Sequence, residues 1–378
     1  MAIIFHIDVN NAFLSWTAVY LLKQGFYEDI RYSESVIGGD EKARRGIVLA
    51  KSMVAKSRGV KTAETLRDAK KKCHKLKVYP PNFKLYRYMS KELFNLIKSY
   101  IPNIEVLSID ECFLDYTSVK EKYGDEVKFA YKLKREIKEK LGFSVNIGIA
   151  NNRLCAKMAS DFLKPDRVHT LYQEEIEEKM YPLPIGELYG IGKKTEIKLK
   201  DLNINTIGDL AHTDEQYLSR YFKNQAKRMI ESAKGISDCA ISIKRKDTNI
   251  SNSTTLSHNL NSLDEINKVI LVLVNNVCKS LNYKRKYAYV IGVSLKDKFF
   301  KTRSHQKKLL NATNDEQEIY QVCKRLAKEL YNDDSIRLVG VSLSNLVYTN
   351  NRQLSIYDKD EEMEKIIDDL SNNRHKKA

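Results

Sequence analysis

Apolar positions fall in short runs and periodic stretches that alternate along the chain. Ala2–Ile7 is a run of apolar and aromatic residues stopped by Asp8, the pattern of a buried strand delivering an acid at its C-terminal end. Asn11–Gln24 carries Phe13, Trp16, Val19 and Tyr20 at helical spacing and ends at Gly25, a natural helix stop. Ile47–Ala50 and then Val60–Leu76 predict a small strand-plus-helices unit. Ile104–Ser108 and Cys112–Tyr116 are two short β-prone runs flanking Asp110-Glu111, which puts both acids at the turn of a hairpin. Gly124–Leu141 reads as an amphipathic helix, and Phe143–Ala150 alternates with period two, a half-buried strand. Strand, helix, hairpin, helix, strand is the split βαβ order. It predicts a mixed sheet with Asp8, Asp110 and Glu111 together at one edge.

Beyond Pro165 the pattern changes to short helices, with Leu188-Tyr-Gly-Ile-Gly-Lys-Lys-Thr195 between two amphipathic segments. A polar stretch from Ser237 reads as a linker. From Thr254 to Leu346 the order is strand, helix (Leu263–Leu281), two strands, helix (Asp315–Asn332), strand. Two of these strands echo each other, Tyr289-Val-Ile-Gly-Val-Ser-Leu295 and Leu338-Val-Gly-Val-Ser-Leu343, which predicts that they share one sheet. After Tyr348 the chain turns polar, with a short helix predicted at Glu361–Leu370. The fold class is α+β.

Composition bounds the class. The 378 residues exceed what one core holds, roughly 250–300, and 42% hydrophobic residues with 15 Gly and 6 Pro exclude a disordered or collagenous chain. No uncharged apolar stretch approaches the ~20 residues of a membrane span, and the start of the chain lacks a basic n-region. Six cysteines lie far apart without a Cys-x-x-Cys pair, against zinc and for reduced thiols in the cytosol. The formal net charge is +16, with a pI near 9.3. It is unevenly spread: residues 1–165 carry +11 and residues 244–345 carry +8, while 166–243 and 346–378 are near neutral. Two basic bodies about a neutral one suit a grip on an extended polyanion.

Three carboxylates brought to one place repel and raise one another's pKa unless cations lie among them. Oxygen-only ligands suit Mg²⁺. Two such ions, about 3.5–4 Å apart, activate a hydroxyl and stabilise a leaving oxygen in phosphoryl displacement.

The string Ser108-Ile-Asp-Glu-Cys-Phe-Leu-Asp115 resembles the catalytic signature of Y-family DNA polymerases, the translesion enzymes that include bacterial polymerases IV and V. His6-Ile-Asp-Val-Asn-Asn-Ala-Phe13 resembles the same family's first motif, and the likeness runs in order to about residue 345. The resemblance implies a right-hand polymerase: palm 1–20 and 77–165, small fingers 21–76, helix-hairpin-helix thumb 166–236, linker 237–243, little finger 244–346 and tail 347–378. It implies a low-fidelity DNA-templated enzyme that takes primer-template DNA and dNTP and works as a monomer. Asp8, Asp110 and Glu111, with the carbonyl of Val9, map onto the ligands of two Mg²⁺ ions, for which Mn²⁺ is a substitute. Phe13 falls on the steric gate against ribonucleotides.

By the same resemblance Lys56 and Lys164 are triphosphate contacts. Here the sequence departs from the family pattern Tyr-x-Ala-Arg: Met53 stands for the tyrosine and Lys56 for the arginine, so a hydroxyl bond is lost and a compact ammonium replaces a bidentate guanidinium. Gly190 and Gly192, followed by Lys193, look like a phosphate-binding hairpin, although a plain structural turn accounts for them equally well. Lys284, Arg285, Lys286, Lys298 and Arg303 would contact DNA backbone. Gln353-Leu354-Ser355-Ile356-Tyr357 resembles the peptide by which bacterial polymerases dock on the sliding clamp, its alternative being an idle tail. Two other functions compete. Gly38-Gly-Asp-Glu-Lys42 nearly spells a diguanylate cyclase signature, but it lacks the Phe and reads as a polar turn. A noncatalytic DNA-binding accessory is disfavoured because all three acids and Phe13 are present.

Overall fold

The computed structural model describes residues 2–238, 240–241 and 247–349. The clamp-like residues Gln353, Leu354, Ile356 and Tyr357 and the helix predicted at 361–370 lie outside the described residues. The chain divides into two compact units, Met1–Asp40 with Gly46–Arg245, and Glu41–Arg45 with Lys246–Ala378.

In the first unit β1 (Ile4–Val9) leads into α1 (Ala12–Lys23), as the apolar run and the helical spacing predict. Next come β2 (Ser35–Gly38), β3 (Val48–Lys51), α2 (Met53–Ser57), α3 (Leu66–Lys72) and β4 (Lys77–Tyr79). These form a small separate sheet of order β3-β2-β4 rather than the single strand expected, and the Gly38–Lys42 string ends a strand and enters a turn. An 18-residue helix absent from the predicted order, α4 (Phe83–Tyr100), then precedes β5 (Ile104–Val106) and β6 (Glu111–Asp115). After α5 (Lys120–Tyr123) come α6 (Glu126–Leu141), β7 (Val145–Ala150), α7 (Arg153–Asp161) and β8 (Val168–Leu171).

The main sheet has the order β5-β6-β1-β7-β8. Its first four strands are the split βαβ arrangement, with β6 and β7 antiparallel to β1 on either side. Strand β8 adds to it in parallel, so the sheet reaches past residue 165. Alternation along β1 sends Phe5, Ile7 and Val9 into a core shared with α1, α4 and α6, while Ile4, His6 and Asp8 face α7. Both faces are therefore covered. This is why all six residues of β7 are buried, where period two predicted a half-buried strand. Gly148 permits the close approach: a Cβ there would lie 2.0 Å from the Ala156 carbonyl oxygen and 2.4 Å from the Ser160 nitrogen of α7.

The chain continues in short helices, α8 (Ile176–Lys179), α9 (Lys193–Asp201), α10 (Ile207–Ala211), α11 (Glu215–Phe222) and α12 (Gln225–Ala233). Leu188, Leu199, Ile207, Leu218 and Ile230 bury their side chains in a core with α7.

The second unit follows the predicted element order: β9 (Asn249–Leu260), α13 (Leu263–Tyr283), β10 (Tyr287–Asp297), β11 (Thr302–Thr313), α14 (Glu316–Leu330) and β12 (Ile336–Val347). Its antiparallel sheet has the order β11-β10-β12-β9. The two echoing segments are direct neighbours centred on Val293↔Val341, with Gly292 opposite Ser342 and Ser294 opposite Gly340. Ile291, Val293, Leu295, Val339, Val341 and Leu343 pack against the two helices. The other face carries cross-strand rows Ser304, Ser294, Gly340, Ser253 and Gln306, Gly292, Ser342, Ser251. No helix among the described residues is long and apolar enough to cross a membrane.

Candidate active site

The three acids converge at the ends of two central strands, not along a sheet edge as expected. Asp8, next to the last residue of β1, pairs directly with Glu111, which opens β6. Asp110 precedes Glu111 in the hairpin turn: its carbonyl accepts from Val9 N at 3.1 Å, and its carboxylate accepts from the Ser108 hydroxyl. The turn closes with Leu107 N to the Glu111 carbonyl at 2.9 Å. Cys112, next along β6, faces the opposite core, so no sulfur joins the acids.

Two lysines stand among these carboxylates. Lys157, on α7, is 7% exposed and donates to Glu111 Oε1 at 2.5 Å, with Asp161 at 3.5 Å. Lys164 bonds Asp8, and Asp161 at 2.7 Å. Sequence patterns single out Lys164 but not Lys157, whose one signal is a lysine on the inward face of a helix otherwise lined by Leu154, Ala156, Met158 and Ala159. Burial pushes the Asp8 carboxyl up to about 6, with Lys164 and Lys157 pulling the other way and Glu111 adding to the rise. Burial, helped by the same two lysines, holds His6 well below the usual imidazole range. His6 Nδ1 lies 2.8 Å from the Ser160 hydroxyl.

Two buried asparagines, also unforeseen, hold the segment that carries Lys164. Asn10 Nδ2 donates to Asn146 Oδ1 at 3.0 Å, and Asn10 Oδ1 accepts from Asp166 N at 2.8 Å. Asn146 Nδ2 donates to the Leu163 carbonyl at 2.7 Å, and its Oδ1 accepts from Arg167 N at 3.1 Å. Lys164 is thus clamped on both sides.

A cavity of about 550 Å³ opens beside the acids, and Val9, Asn11, Met53, Lys56 and Lys164 are on its wall. Ser52 caps α2 through Ala55 N at 3.0 Å and so presents Lys56. Phe13 does not line this cavity; its half-buried ring stacks on Tyr86 with centroids 4.5 Å apart and meets Phe83 edge-on at 6.1 Å.

The donors are carboxylates and a backbone carbonyl, without nitrogen or sulfur, which fits a hard divalent cation. Among the described residues no group of three or more His, Cys, Asp and Glu side chains stands ready as a metal cage. Lys157 lies against Glu111, and Lys164 against Asp8.

In the helical region Gly190 has φ +97° and Gly192 caps α9. A Cβ on either would meet nothing within 4 Å, so the hairpin backbone is open to a ligand. Lys193 is 80% exposed and pairs with Glu196 at 3.1 Å. In the second unit Lys284, Arg285 and Lys298 are exposed. Lys286 is a correction: it is 4% exposed, with Nζ 3.2 Å from the Asp247 carbonyl and 4.9 Å from the Tyr348 ring centre, so it serves packing and not an outer surface. Arg303 points to the helix-bearing side of its sheet, where it pairs with Asp334 at 2.5 Å.

The impB/mucB/samB family matches residues 7–161, its C-terminal domain matches 247–356, and the IMS family HHH motif matches 173–204. DNA polymerase IV of Clostridium acetobutylicum is 45% identical over 375 residues, covering 97% of this chain and 94% of that one. The chain belongs to the impB/mucB/samB family of Y-family DNA polymerases. Another relative of this Y-family chain is DNA polymerase IV 1 of Bacillus subtilis, 31% identical over 379 residues, with 98% and 90% covered. The fold agrees: the Y-family DNA polymerase chimera Dbh-Dpo4(243-245)-Dbh superposes with a TM-score of 0.81 at 22% identity, over 92% of this chain and 100% of that one. The Gly190 hairpin of this Y-family chain falls within the matched HHH motif.

Proposed function

We infer that the protein is a DNA-templated DNA polymerase of the translesion class, adding dNMP from dNTP to a primer 3′-hydroxyl. The observation that carries this reading is the direct Asp8↔Glu111 pairing, with Asp110 in the adjoining turn, beside a cavity walled by Lys56 and Lys164. Asp8, Asp110, Glu111 and the Val9 carbonyl would hold two divalent cations, Mg²⁺ with Mn²⁺ as a substitute, which when bound acidify a hydroxyl and neutralise phosphate charge.

The chain's own residues do the rest. Lys164, bonded to Asp8 and Asp161, exchanges those carboxylates for phosphate oxygens of the triphosphate, and Lys56, on the wall of the same cavity, binds alongside it. The Asn10–Asn146 pair keeps Lys164 within reach of Asp8. Phe13, braced on Tyr86, turns away the ribose 2′-hydroxyl, and Phe13→Val should admit ribonucleotides. The Gly190–Gly192 hairpin and Lys193 hold DNA backbone. In the second unit Lys284 and Arg285, at the C-terminal end of α13, and Lys298, just after β10, add grip without reading sequence. The enzyme works as a monomer in the bacterial cytosol and docks on the sliding clamp through Gln353, Leu354, Ile356 and Tyr357. Replacing Gln353, Leu354 and Tyr357 by Ala should abolish clamp stimulation and spare basal synthesis.

The deciding experiment is extension of a primer-template by single dNTPs across a panel of defined lesions. Template-dependent incorporation past lesions supports the reading; synthesis of a cyclic dinucleotide from GTP, or DNA binding without incorporation, would overturn it.

A further inference from the structure

Lys51 ends β3 and lines the same cavity as Lys56 and Lys164. Two hydrogen bonds place it. Its backbone carbonyl accepts from Asn11 Nδ2 at 2.5 Å, at the start of α1, and its Nζ donates to the hydroxyl of Thr62, another wall residue, at 2.8 Å. That hydroxyl uses one of three ammonium protons and leaves two to donate. The remaining basic residues of the wall are engaged with acids: Arg31 with Asp29 at 2.7 Å, Lys138 with Asp166 at 2.9 Å, and Lys164 with Asp161 at 2.7 Å. Among the described residues Lys51 and Lys56 have no carboxylate salt bridge.

Two ammonium groups on one cavity wall, Lys51 half-buried and Lys56 exposed, repel each other unless an anion comes between them. The electrostatics agree, since burial first and Lys56 second lower the Lys51 pKa below the usual lysine range, with Glu64 offsetting only part of the fall. A polyanion removes both penalties. Met53, 56% exposed on the same wall, has no hydrogen to donate to a phosphate.

We propose that Lys51 is a third triphosphate-binding cation of this site, aimed by Thr62 and anchored through Asn11. The assignment rests on the polymerase reading and extends it by one residue that touches the leaving phosphates. It differs from a DNA-backbone contact in what it alters: the KM for dNTP, not the affinity for primer-template.

The test compares the full chain with Lys51→Gln, Lys51→Met and Lys51→Arg in single-nucleotide incorporation, primer-template binding, and titration of inorganic tripolyphosphate by calorimetry without divalent cations. Losing one charge-assisted hydrogen bond should raise the dNTP KM about tenfold in Lys51→Gln and weaken tripolyphosphate binding about as much, with kcat and primer-template Kd nearly unchanged. Lys51→Arg should restore most of the loss. If Lys51→Met fails to fold, Lys51→Gln and Lys51→Arg decide. An unchanged KM and tripolyphosphate affinity in folded Lys51→Gln, with the parent chain still incorporating dNTP, overturns the Lys51 assignment alone. Loss of primer-template affinity in place of a KM change overturns it too. A parent chain that incorporates nothing overturns the polymerase reading itself.

Discussion

The two large sheets use the same alphabet of strands and helices to opposite ends. The β5-β6-β1-β7-β8 sheet is covered on both faces, whereas the β11-β10-β12-β9 sheet has helices on one face and hydroxyl-bearing residues on the other. Coverage creates chemistry. It strips water from Asp8, raises its pKa and forces Lys157 against Glu111. An open face cannot perturb its groups in that way, and its serines act as many small additive contacts. Glycines mark the same contrast: Gly148 meets helix backbone, while the neighbour of Gly292 is the Ser342 hydroxyl, 2.6 Å from an added Cβ and able to rotate away.

Disabling the covered site should have the largest effect. Asp110→Asn/Glu111→Gln is expected to lower incorporation by roughly three orders of magnitude or more, measured by single-turnover primer extension, because several kcal/mol of charge stabilisation disappears. Retained activity would mean that the covered sheet is not the catalytic one.

The glycine contrast gives a second test. Gly148→Ala should cost about 3 kcal/mol or more in urea denaturation, since backbone must shift, and Gly292→Ala within about 1 kcal/mol. Equal costs would dissolve the distinction between closed and open faces.

The Asp8 carboxyl gives a pH-dependent test. Its pKa in the fold, about 6, lies above its ordinary 3.8, so the stability it contributes is intact below the ordinary value and lost as pH rises through about 6. In divalent-free buffer Asp8→Asn should therefore be more stable than the parent at pH 8 by about 2–3 kcal/mol, with the gap closing toward pH 4. A gap that widened on acidification would contradict the burial argument.

In the second unit, at the exposed cations that flank its open sheet's strands in sequence, effects should be smallest. Neutralising Lys284, Arg285 or Lys298 to Gln should weaken primer-template binding a few-fold each, for all sequences, and reduce the salt slope by about one for each phosphate left without its cation. Lys286→Gln should leave that slope alone and lower the melting temperature, because its ammonium is buried against Asp247.

Much of the molecule is legible in the chain. Asp8, Asp110 and Glu111 follow or interrupt short apolar runs, so strand ends and a hairpin turn carry them, and the second unit's elements appear in the order that periodicity predicts. The amphipathic helix Phe83–Tyr100 is missing from the predicted order although Tyr86, Met89, Leu93 and Ile97 keep helical spacing, so its signal is local and present. Other features leave no local trace. Asn10 and Asn146 lie far apart in sequence, and nothing in either neighbourhood announces that their amides meet. Lys157 goes unmarked and Lys286 reads as a DNA contact, because side-chain type says nothing of a carboxylate or carbonyl supplied by a distant element.

By itself the sequence determined which residue types stand at strand ends, which faces are apolar and where positive charge accumulates, since each depends on neighbours a few positions away. Only the tertiary structure decided that both faces of the first sheet are closed, that the acids sit at the ends of central strands with lysines between them, and that Lys51 shares a cavity with Lys56. Those outcomes depend on desolvation and charge proximity, which arise when elements distant in the chain pack together.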